Sequence, residues 1–261
     1  MTDEPIILEK RNGVGWMTFN RPEVRNAFNQ AMYDSLFQMC DEVNGDTSIK
    51  VMVVSGAGGK GFGAGGDIAM YRDHLQDRER LLEFPRLGIR VVETLDAMRV
   101  PTIAAIAGPA TGGGASFAIS CDLRVASPSA RFGFPIARLG NCLSMPVLAR
   151  LLTTVGRPLV LDMILTARLL DAKEAYDAGI FGYLAPDENS LMARAEQLAA
   201  QLASNAPLTM HATRESLRRL ERRLIPDENA EELVRWCMTS RDFDEGVHAF
   251  VEKRTPTWQG E

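Results

Sequence analysis

Apolar positions in the first half of the chain form short runs separated by segments with helical spacing. The run GVGWMTF (13–19) ends at the polar turn NRPEVR, and VMVVS (51–55) leads into a glycine-rich loop, so both predict β-strands. Between them, apolar residues recur at helical intervals, which predicts a helix with Asn26 as its N-cap. The apolar residues of this helix are Met32, Leu36, Met39, Cys40 and Val43. Further helices are predicted after Asp67 and over residues 87–98.

The order of strand, glycine loop and helix occurs a second time. PTIAAIAG (101–108) predicts a strand, PATGGGAS supplies the loop, and residues 115–120 predict a helix. DLRVAS and RFGF predict two more strands, and the whole cadence predicts an α/β fold with helices outside the sheet. From about Ser144 the strand pattern ceases, and four or more helices are predicted. Their breaks are marked by Gly156-Arg157-Pro158, Ala206-Pro207 and Ile225-Pro226-Asp227.

Composition narrows the possible partners. The 261 residues are 46% hydrophobic with a formal net charge of −5, which predicts a full core and no nucleic-acid partner. Residues 100–121 carry no charge but are rich in Gly, Pro, Ser and Thr, so we predict a buried strand–loop–helix and no membrane partner. The N-terminus lacks the cationic start and apolar run of a targeting segment.

The cysteines and histidines indicate neither disulfides nor a metal site. Four cysteines show no CxxC spacing and three histidines show no metal-binding pattern, so free thiols in a reducing cytoplasm are predicted. Residues 208–224 place several arginines on one helix face, which we interpret as solvated. These are Arg214, Arg218, Arg219, Arg222 and Arg223.

Glycine density between residues 56 and 66 is the strongest local signal. Seven of these eleven residues are glycine, which indicates tight bends or close approach of the main chain to another group. The segment formally fits GxGxxG, but the glycines continue to Gly66 and no second strand ending in an acid follows at the required distance. A phosphate-binding P-loop also fails, because Lys60 precedes Gly61 rather than Ser or Thr.

The two glycine loops can instead act as a pair. A helix is predicted after each, so each offers unpaired backbone N–H groups at a positive helix end. If the loops converge, one N–H from each can hold a carbonyl oxygen as it becomes an enolate, which is an oxyanion hole. Two purely structural glycine turns are the alternative at this point.

Four stretches of the chain resemble the crotonase, or enoyl-CoA hydratase/isomerase, superfamily. NRPEVRNAF (20–28) is similar to the early motif near the CoA moiety, and GFGAGGDI (61–68) to the first oxyanion motif. AIAGPATGGGASFAISCDLRVAS (105–127) is similar to the second oxyanion motif, and FVEKRTPTW (250–258) to the C-terminal signature. The resemblance implies a spiral of ββα units over residues 1–205 and a helical oligomerisation region over residues 206–261.

The resemblance also implies an acyl-CoA substrate and a homotrimer or a dimer of trimers. It places the two N–H donors on Gly66 and Gly113, with Asp67 as a helix cap. CoA itself is expected as part of the substrate, with no tightly bound cofactor. By motif position, Phe250 and Lys253 reach the CoA nucleotide, often from a neighbouring subunit. The other implied CoA or substrate contacts are Glu23, Val24, Arg25, Ala64, Asp67, Ile68 and Pro135.

The chain departs from the family at both hydratase glutamates. The first position, three residues after the middle glycine, is Ser116, and the second, directly after the proline of RFGFP, is Ile136. Neither side chain can serve as a general base near neutral pH, so hydration by a glutamate pair is not expected. Asn141 and Ser144 occupy positions where relatives place other polar catalytic groups.

Other polar residues near these motifs are also candidates. Arg138 or Arg72 can hold a carboxylate on the acyl group if either points inward, and His74 is predicted to be a surface residue. Three functions stay open: an enolate-stabilising acyl-CoA enzyme such as a malonyl-type decarboxylase or an isomerase, a hydratase with a base from elsewhere, and a non-catalytic CoA-thioester-binding scaffold.

Overall fold

The structure is a computed structural model that describes residues 4–225 and 231–260. Its strands in the described residues are β1 (Ile6–Arg11), β2 (Val14–Phe19), β3 (Val51–Gly56), β4 (Thr102–Ile106), β5 (Pro109–Thr111), β6 (Leu123–Ala126), β7 (Arg131–Gly133), β8 (Leu170–Asp171) and β9 (Tyr183–Leu184). Its α-helices there are α1 (Gln30–Gly45), α2 (Ile68–Asp73), α3 (Arg78–Leu81), α4 (Glu83–Asp96), α5 (Gly113–Ser120), α6 (Met145–Leu165), α7 (Ala172–Asp177), α8 (Leu191–Ala203), α9 (Pro207–Arg222), α10 (Glu231–Met238) and α11 (Arg241–Glu252). The predicted α/β class is confirmed.

Both glycine loops follow parallel strands of the main sheet and begin at the carboxyl ends of those strands. Its strand order is β1-β2-β3-β4-β6-β9, with β1 antiparallel to β2 and the remaining pairs parallel. Because β3 and β4 are parallel neighbours, with Ser55 paired to Ala105, their carboxyl ends lie side by side. Ligands of parallel sheets bind beyond such carboxyl ends. After β4, the second glycine loop includes β5, which belongs to a second sheet with the order β5-β7-β8.

Helices cover both faces of the main sheet. Along β3, Met52 and Val54 belong to a core cluster shared with α1, α4, α5 and α6, whereas Val51 and Val53 belong to a cluster shared with α8. All four side chains are buried, which explains why the strand reads as a continuous apolar run. The sheet is therefore fixed from both sides, and the loops at its edge start from rigid strands.

The predicted cap of α1 is wrong. Asn29 is the N-cap, and its side chain accepts a hydrogen bond from the Met32 N–H. Asn26 instead lies fully buried in a left-handed conformation, with φ of 57°. Its amide donates to the carbonyls of Ala57 and Gly61, and its oxygen accepts from the Arg21 N–H. Asn26 therefore ties the early motif to the glycine loop, a role that helical periodicity does not reveal.

Two further predictions need correction. Strands continue after Ser144, because β8 and β9 are edge strands of the two sheets. Each is only two residues long, which is too short to show an alternating pattern in the sequence. The arginine face of α9 is only partly solvated: Arg214 pairs with Asp122, and Arg218 donates to the Asp96 carbonyl. Asp122 and Asp96 are far from α9 in sequence, so the arginine-rich sequence of α9 alone does not indicate these partners.

The predicted helix breaks fall at defined positions. Gly156, with φ +72°, kinks α6 two residues before Pro158, and α9 begins with Pro207 at its first turn. The break predicted at Pro226 lies outside the described residues. The division between residues 205 and 206 stays a prediction. Within residues 4–225 and 231–260, no helix is both long and apolar enough to cross a membrane.

Candidate active site

The two glycine loops meet in space. The Thr111 N–H donates to the Gly63 carbonyl over 2.9 Å, and the Gly63 N–H donates to the Pro109 carbonyl over 3.2 Å. A Cβ added to Gly114 would lie 2.1 Å from the Gly63 carbonyl oxygen, so only glycine permits this approach. Gly65, with φ +94°, completes the turn of the first loop. The glycine density therefore reflects backbone-to-backbone packing of one loop against the other.

Among the N–H groups of the two loops that have no backbone partner in the described residues are those of Gly66 and Gly113. The bridge between Phe28 and Gly66 uses the Gly65 carbonyl and the Asp67 N–H, so the Gly66 N–H takes no part in it. Gly113 is the first residue of α5, where the helix supplies no acceptor for an N–H. Within residues 4–225 and 231–260, neither N–H donates a backbone hydrogen bond. Both glycines line one cavity.

That cavity has a volume of about 340 Å³ and a mostly apolar wall. Tyr33, Tyr71, Arg138 and Cys142 are the titratable side chains that line it among the described residues. No carboxylate and no imidazole from that part of the chain lines it. Burial raises the pKa of the Cys142 thiol to about 12, so this group stays protonated at neutral pH. The described part of the cavity wall thus offers hydrogen-bond donors but no carboxylate or imidazole that could act as a general base.

All four positions predicted from the family's catalytic groups line this cavity. Ser116 is buried on the first turns of α5, and Ile136 packs against the core from the short 3-10 turn Pro135–Arg138. The Asn141 side-chain oxygen accepts from the Cys142 N–H over 2.7 Å, which leaves its amide nitrogen for the cavity. Ser144 is the N-cap of α6 but makes no capping hydrogen bond, so its hydroxyl is not used by the helix.

The predicted CoA contacts divide into two groups. Ala64, Ile68, Pro135 and Phe250 line the cavity, Phe250 doing so from α11 of the same chain. The remaining residues, Glu23, Val24, Arg25, Asp67 and Lys253, do not line it.

Those remaining residues lie on or beside the first loop or at the chain's last helix. Glu23, Val24 and Arg25 are exposed at a 3-10 turn, where the Arg25 carbonyl accepts from the Ala64 N–H over 3.1 Å. Asp67 caps α2 through the Ala69 N–H and pairs with Arg21. Lys253 is the exposed C-cap of α11. The cap predicted at Asp67 is therefore observed.

The structure separates the two candidate arginines. Arg138 is exposed and lines the cavity, whereas Arg72 lies outside it and makes a two-pronged hydrogen bond to Asp73. His74, predicted to lie at the surface, is partly buried because its ring packs 5.9 Å from the ring of Phe84. Arg138 is thus the one of the two arginines that can meet a ligand in the cavity.

Sequence reasoning missed two tyrosines beside the glycines. A Cβ built on Gly113 would lie 3.3 Å from the Tyr33 hydroxyl oxygen, and one built on Gly66 would lie 2.9 Å from the Tyr71 hydroxyl oxygen. Burial raises the pKa of Tyr71 to about 12, and burial together with the nearby Tyr71 hydroxyl raises the pKa of Tyr33 above its ordinary value. The spacing of four residues from the cap Asp67 to Tyr71 was the available signal, since it corresponds to about one helical turn.

Comparison with known proteins places this site in a family. The family model for enoyl-CoA hydratase/isomerase matches residues 9–261. The chain belongs to the enoyl-CoA hydratase/isomerase family. It is 33% identical over 251 residues to a short-chain-enoyl-CoA hydratase of Clostridium acetobutylicum, covering 95% of each chain. It is 32% identical over 257 residues to a 2,3-dehydroadipyl-CoA hydratase of Escherichia coli, covering 98% of each chain.

The fold agrees with this family. A solved structure of methylmalonyl-CoA decarboxylase in complex with 2-nitronate-propionyl-CoA is similar to the chain, with a TM-score of 0.85, 25% identity and 98% of each chain covered. The predicted crotonase-like architecture is therefore confirmed, and the enoyl-CoA hydratase/isomerase family supports an acyl-CoA substrate. The trimeric state stays a prediction.

Proposed function

We propose that this enoyl-CoA hydratase/isomerase family member stabilises a thioester enolate between the N–H groups of Gly66 and Gly113. Three observations support the proposal: the two loops pack together, their N–H groups have no backbone partner in the described residues, and both line one cavity. Donors already in place cost no reorganisation when charge develops on the carbonyl oxygen. The α5 N-terminus adds a positive potential at the same point.

The reaction we propose is decarboxylation of a malonyl-type acyl-CoA. The observation behind it is that no carboxylate or imidazole of the described residues lines the cavity. Hydration and double-bond isomerisation need a base near the α-carbon or water. In decarboxylation the electrons of the breaking C–C bond enter the enolate as CO2 leaves, so no base is needed. The likeness to a methylmalonyl-CoA decarboxylase supports this choice.

Hydration is the second candidate, because the similar curated proteins are named enoyl-CoA hydratases. It requires a base outside the glutamate positions, which Ser116 and Ile136 occupy here. Isomerisation requires such a base as well. A non-catalytic CoA-thioester-binding scaffold would need only the cavity and the two N–H groups. These functions differ in which acyl-CoA the protein converts, if any, so activity assays with several acyl-CoA substrates distinguish them.

We also propose a homotrimer or a dimer of trimers, with residues 206–261 as the oligomerisation region. Large apolar side chains stay exposed on α9 and α10 of the single chain, which supports a partner surface. They include Leu208, Leu217, Leu220, Leu233 and Trp236. A cytoplasmic location is proposed because all four cysteines are free thiols. CoA enters as part of the substrate rather than as a bound cofactor.

A substrate panel tests the proposed reaction. We expect turnover of malonyl-CoA and 2-methylmalonyl-CoA with release of CO2, and hydration of crotonyl-CoA at least 10³-fold slower, because general bases contribute about 10²–10⁴-fold. CO2 release and formation of the product thioester, acetyl-CoA or propionyl-CoA, are measured with purified protein. Rapid hydration of crotonyl-CoA contradicts the importance of the missing glutamates. Binding of every thioester without turnover favours the scaffold.

Arg138 is expected to bind the substrate carboxylate. The change Arg138→Gln should raise KM for malonyl-CoA about 10-fold, since a charge-assisted hydrogen bond is worth about 1.5–3 kcal/mol before solvent screening. We expect kcat to stay the same or rise, because the carboxylate charge leaves Arg138 in the transition state. Steady-state kinetics measure both constants.

Butyryl-CoA binding and a second arginine serve as controls for this prediction. Butyryl-CoA has the same CoA group but no acyl carboxylate, so its affinity should not change in Arg138→Gln. Arg72→Gln removes an exposed arginine that is paired with Asp73 outside the cavity, and its kinetics should match the wild type. Equal weakening of malonyl-CoA and butyryl-CoA by Arg138→Gln would assign Arg138 to the CoA phosphates instead.

A further inference from the structure

Two tyrosine rings are fixed beside the glycine pair. The Tyr71 ring makes edge contacts with Phe84 of α4 and Phe243 of α11, at centroid distances of 5.1 and 5.8 Å. The Tyr33 ring packs against Phe28 at 5.3 Å and Phe37 at 6.4 Å. Both tyrosines line the cavity. Because aromatic neighbours hold each ring, each hydroxyl has a defined position next to the glycines.

Neither hydroxyl has a hydrogen-bond partner within residues 4–225 and 231–260. Tyr33 is buried and Tyr71 half-buried as residues, but neither hydroxyl oxygen is among the fully buried polar atoms without a partner, so both hydroxyls are accessible from the cavity. Each oxygen lies within 3.3 Å of the Cβ position of one glycine whose N–H is also unpartnered in the described residues. Two N–H and two O–H groups without a partner in the described residues therefore belong to residues that line the same cavity.

The hydroxyls can give a proton but cannot readily take one. Burial raises the pKa of Tyr71 to about 12, and burial together with the charge that ionised Tyr71 would carry raises the pKa of Tyr33 above its ordinary value. At neutral pH both groups are therefore protonated and act as donors. An enolate carbon is far more basic than a phenolate, so proton transfer from tyrosine to that carbon is downhill.

We propose that the Tyr71 hydroxyl is the general acid that protonates the α-carbon of the enolate, with the Tyr33 hydroxyl as a neighbouring hydrogen-bond donor. This rests on the proposed decarboxylation. The C–C bond to the carboxylate breaks, its electron pair enters the enolate, and CO2 leaves. The Tyr71 O–H then breaks, its proton forms the new C–H bond, and the phenolate regains a proton from solvent water. The net reaction consumes one proton and needs neither an oxidant nor a reductant.

Tyr71 is chosen over Tyr33 because of its position and exposure. Its hydroxyl oxygen lies 2.9 Å from the Cβ position of Gly66, against 3.3 Å between Tyr33 and the Cβ position of Gly113, and Tyr71 is half-buried whereas Tyr33 is buried. The Tyr71 phenolate can therefore regain a proton from solvent more readily, and the protonated Tyr33 hydroxyl can donate a hydrogen bond to it. The Cys142 thiol is also neutral and lines the described part of the cavity wall. It is not chosen, because its sulfur lies 3.9 Å from the Leu233 carbonyl oxygen and interacts with Cys237.

The test determines how the α-carbon of the product is protonated. 2-Methylmalonyl-CoA is decarboxylated in D2O, and the configuration of the deuterium at the α-carbon of the product is determined by NMR. We expect one configuration from the wild type. In Tyr71→Phe we expect a mixture of both configurations and a rate about 10²-fold lower, because an enolate that waits for solvent recombines with CO2. In Tyr33→Phe the rate falls less and one configuration persists.

Binding gives a readout that does not depend on turnover. The wild type should bind the nitronate of 2-nitropropionyl-CoA, an enolate-like anion, more tightly than propionyl-CoA, and Tyr71→Phe should lose at least 10-fold of that preference. Tyr176→Phe is the matched control, because Tyr176 is exposed on α7 outside the cavity, and it should match the wild type in both assays. Circular dichroism confirms that each variant is folded.

The possible outcomes separate the two proposals. A Tyr71→Phe protein that keeps the wild-type rate, a single labelled configuration and the nitronate preference overturns the role of Tyr71 while the decarboxylase proposal stands. A wild-type protein that neither releases CO2 nor prefers the nitronate overturns the proposed function, and this inference with it. Scrambled label with retained binding of propionyl-CoA supports Tyr71 as the proton donor.

Discussion

Gly66→Val is expected to lower kcat/KM for malonyl-CoA by 10²–10³-fold or more while the protein stays folded. One oxyanion-hole donor is worth about that much in rate. Gly66 lines the cavity, and a Cβ there would already lie 2.9 Å from the Tyr71 hydroxyl oxygen. Valine therefore adds three carbon atoms to the cavity wall beside the proposed N–H donor. Gly66→Ala should give an intermediate loss.

Thermal unfolding and steady-state kinetics measure this prediction, and Gly182→Val is its control. Gly182 lies outside the cavity, and the nearest atom to an added Cβ is 3.8 Å away, so turnover should be unchanged. Gly66→Val also displaces Tyr71, so the same change is made in the Tyr71→Phe background. If the double variant recovers to the level of Tyr71→Phe alone, the loss came from Tyr71 and the N–H assignment is wrong.

The sequence was most informative where a requirement is local. A backbone that passes another backbone at van der Waals distance excludes Cβ atoms at consecutive positions, so the two loops show as glycine clusters in the sequence itself. The apolar runs of β3 and β4 likewise report burial on both sides of a parallel sheet. These two signals predicted the α/β class, with which the family comparison agrees, and they are also the basis of the proposed oxyanion hole.

The rest of the site depends on residues that meet only after folding. Tyr33 comes from α1 and Tyr71 from α2, and nothing in the spacing of α1 shows that its aromatic residue reaches Gly113. Asn26 looked like a helix cap because its residue type suits one, yet its amide bonds the Gly61 carbonyl 35 residues away. Arg214 likewise finds Asp122 at a separation of 92 residues. Long-range polar pairs of this kind leave no periodic pattern.

The convergence of the two loops connects stability and catalysis. The Gly63 carbonyl accepts from Thr111, and Gly114 lies against that same carbonyl, so the contact which closes the fold also brings the two N–H groups together. A change that separates the loops should therefore damage both properties, whereas Gly66→Val damages only catalysis. This difference gives the second large prediction.

Gly114→Ala is expected to destabilise the protein by about 3 kcal/mol or more and to lower turnover at least 10²-fold. Alanine in place of glycine within a helix normally stabilises by about 1 kcal/mol. At Gly114, however, the added Cβ would lie 2.1 Å from the Gly63 oxygen and 2.6 Å from its carbonyl carbon, both backbone atoms. Overpacking of this severity forces the main chain to shift. A shift of about 1 Å between catalytic groups can cost about 10²-fold in rate.

Urea denaturation measures the stability loss, and decarboxylation of malonyl-CoA measures the rate. Gly45→Ala is the matched control: Gly45 lies at the end of α1 with no atom within 4 Å of an added Cβ, so neither stability nor turnover should fall. The midpoint of Gly114→Ala should fall without a change in the m-value, since the surface exposed on unfolding is the same. A Gly114→Ala protein with wild-type stability and turnover would show that the loops tolerate separation, because the native contact leaves no room for the new methyl group.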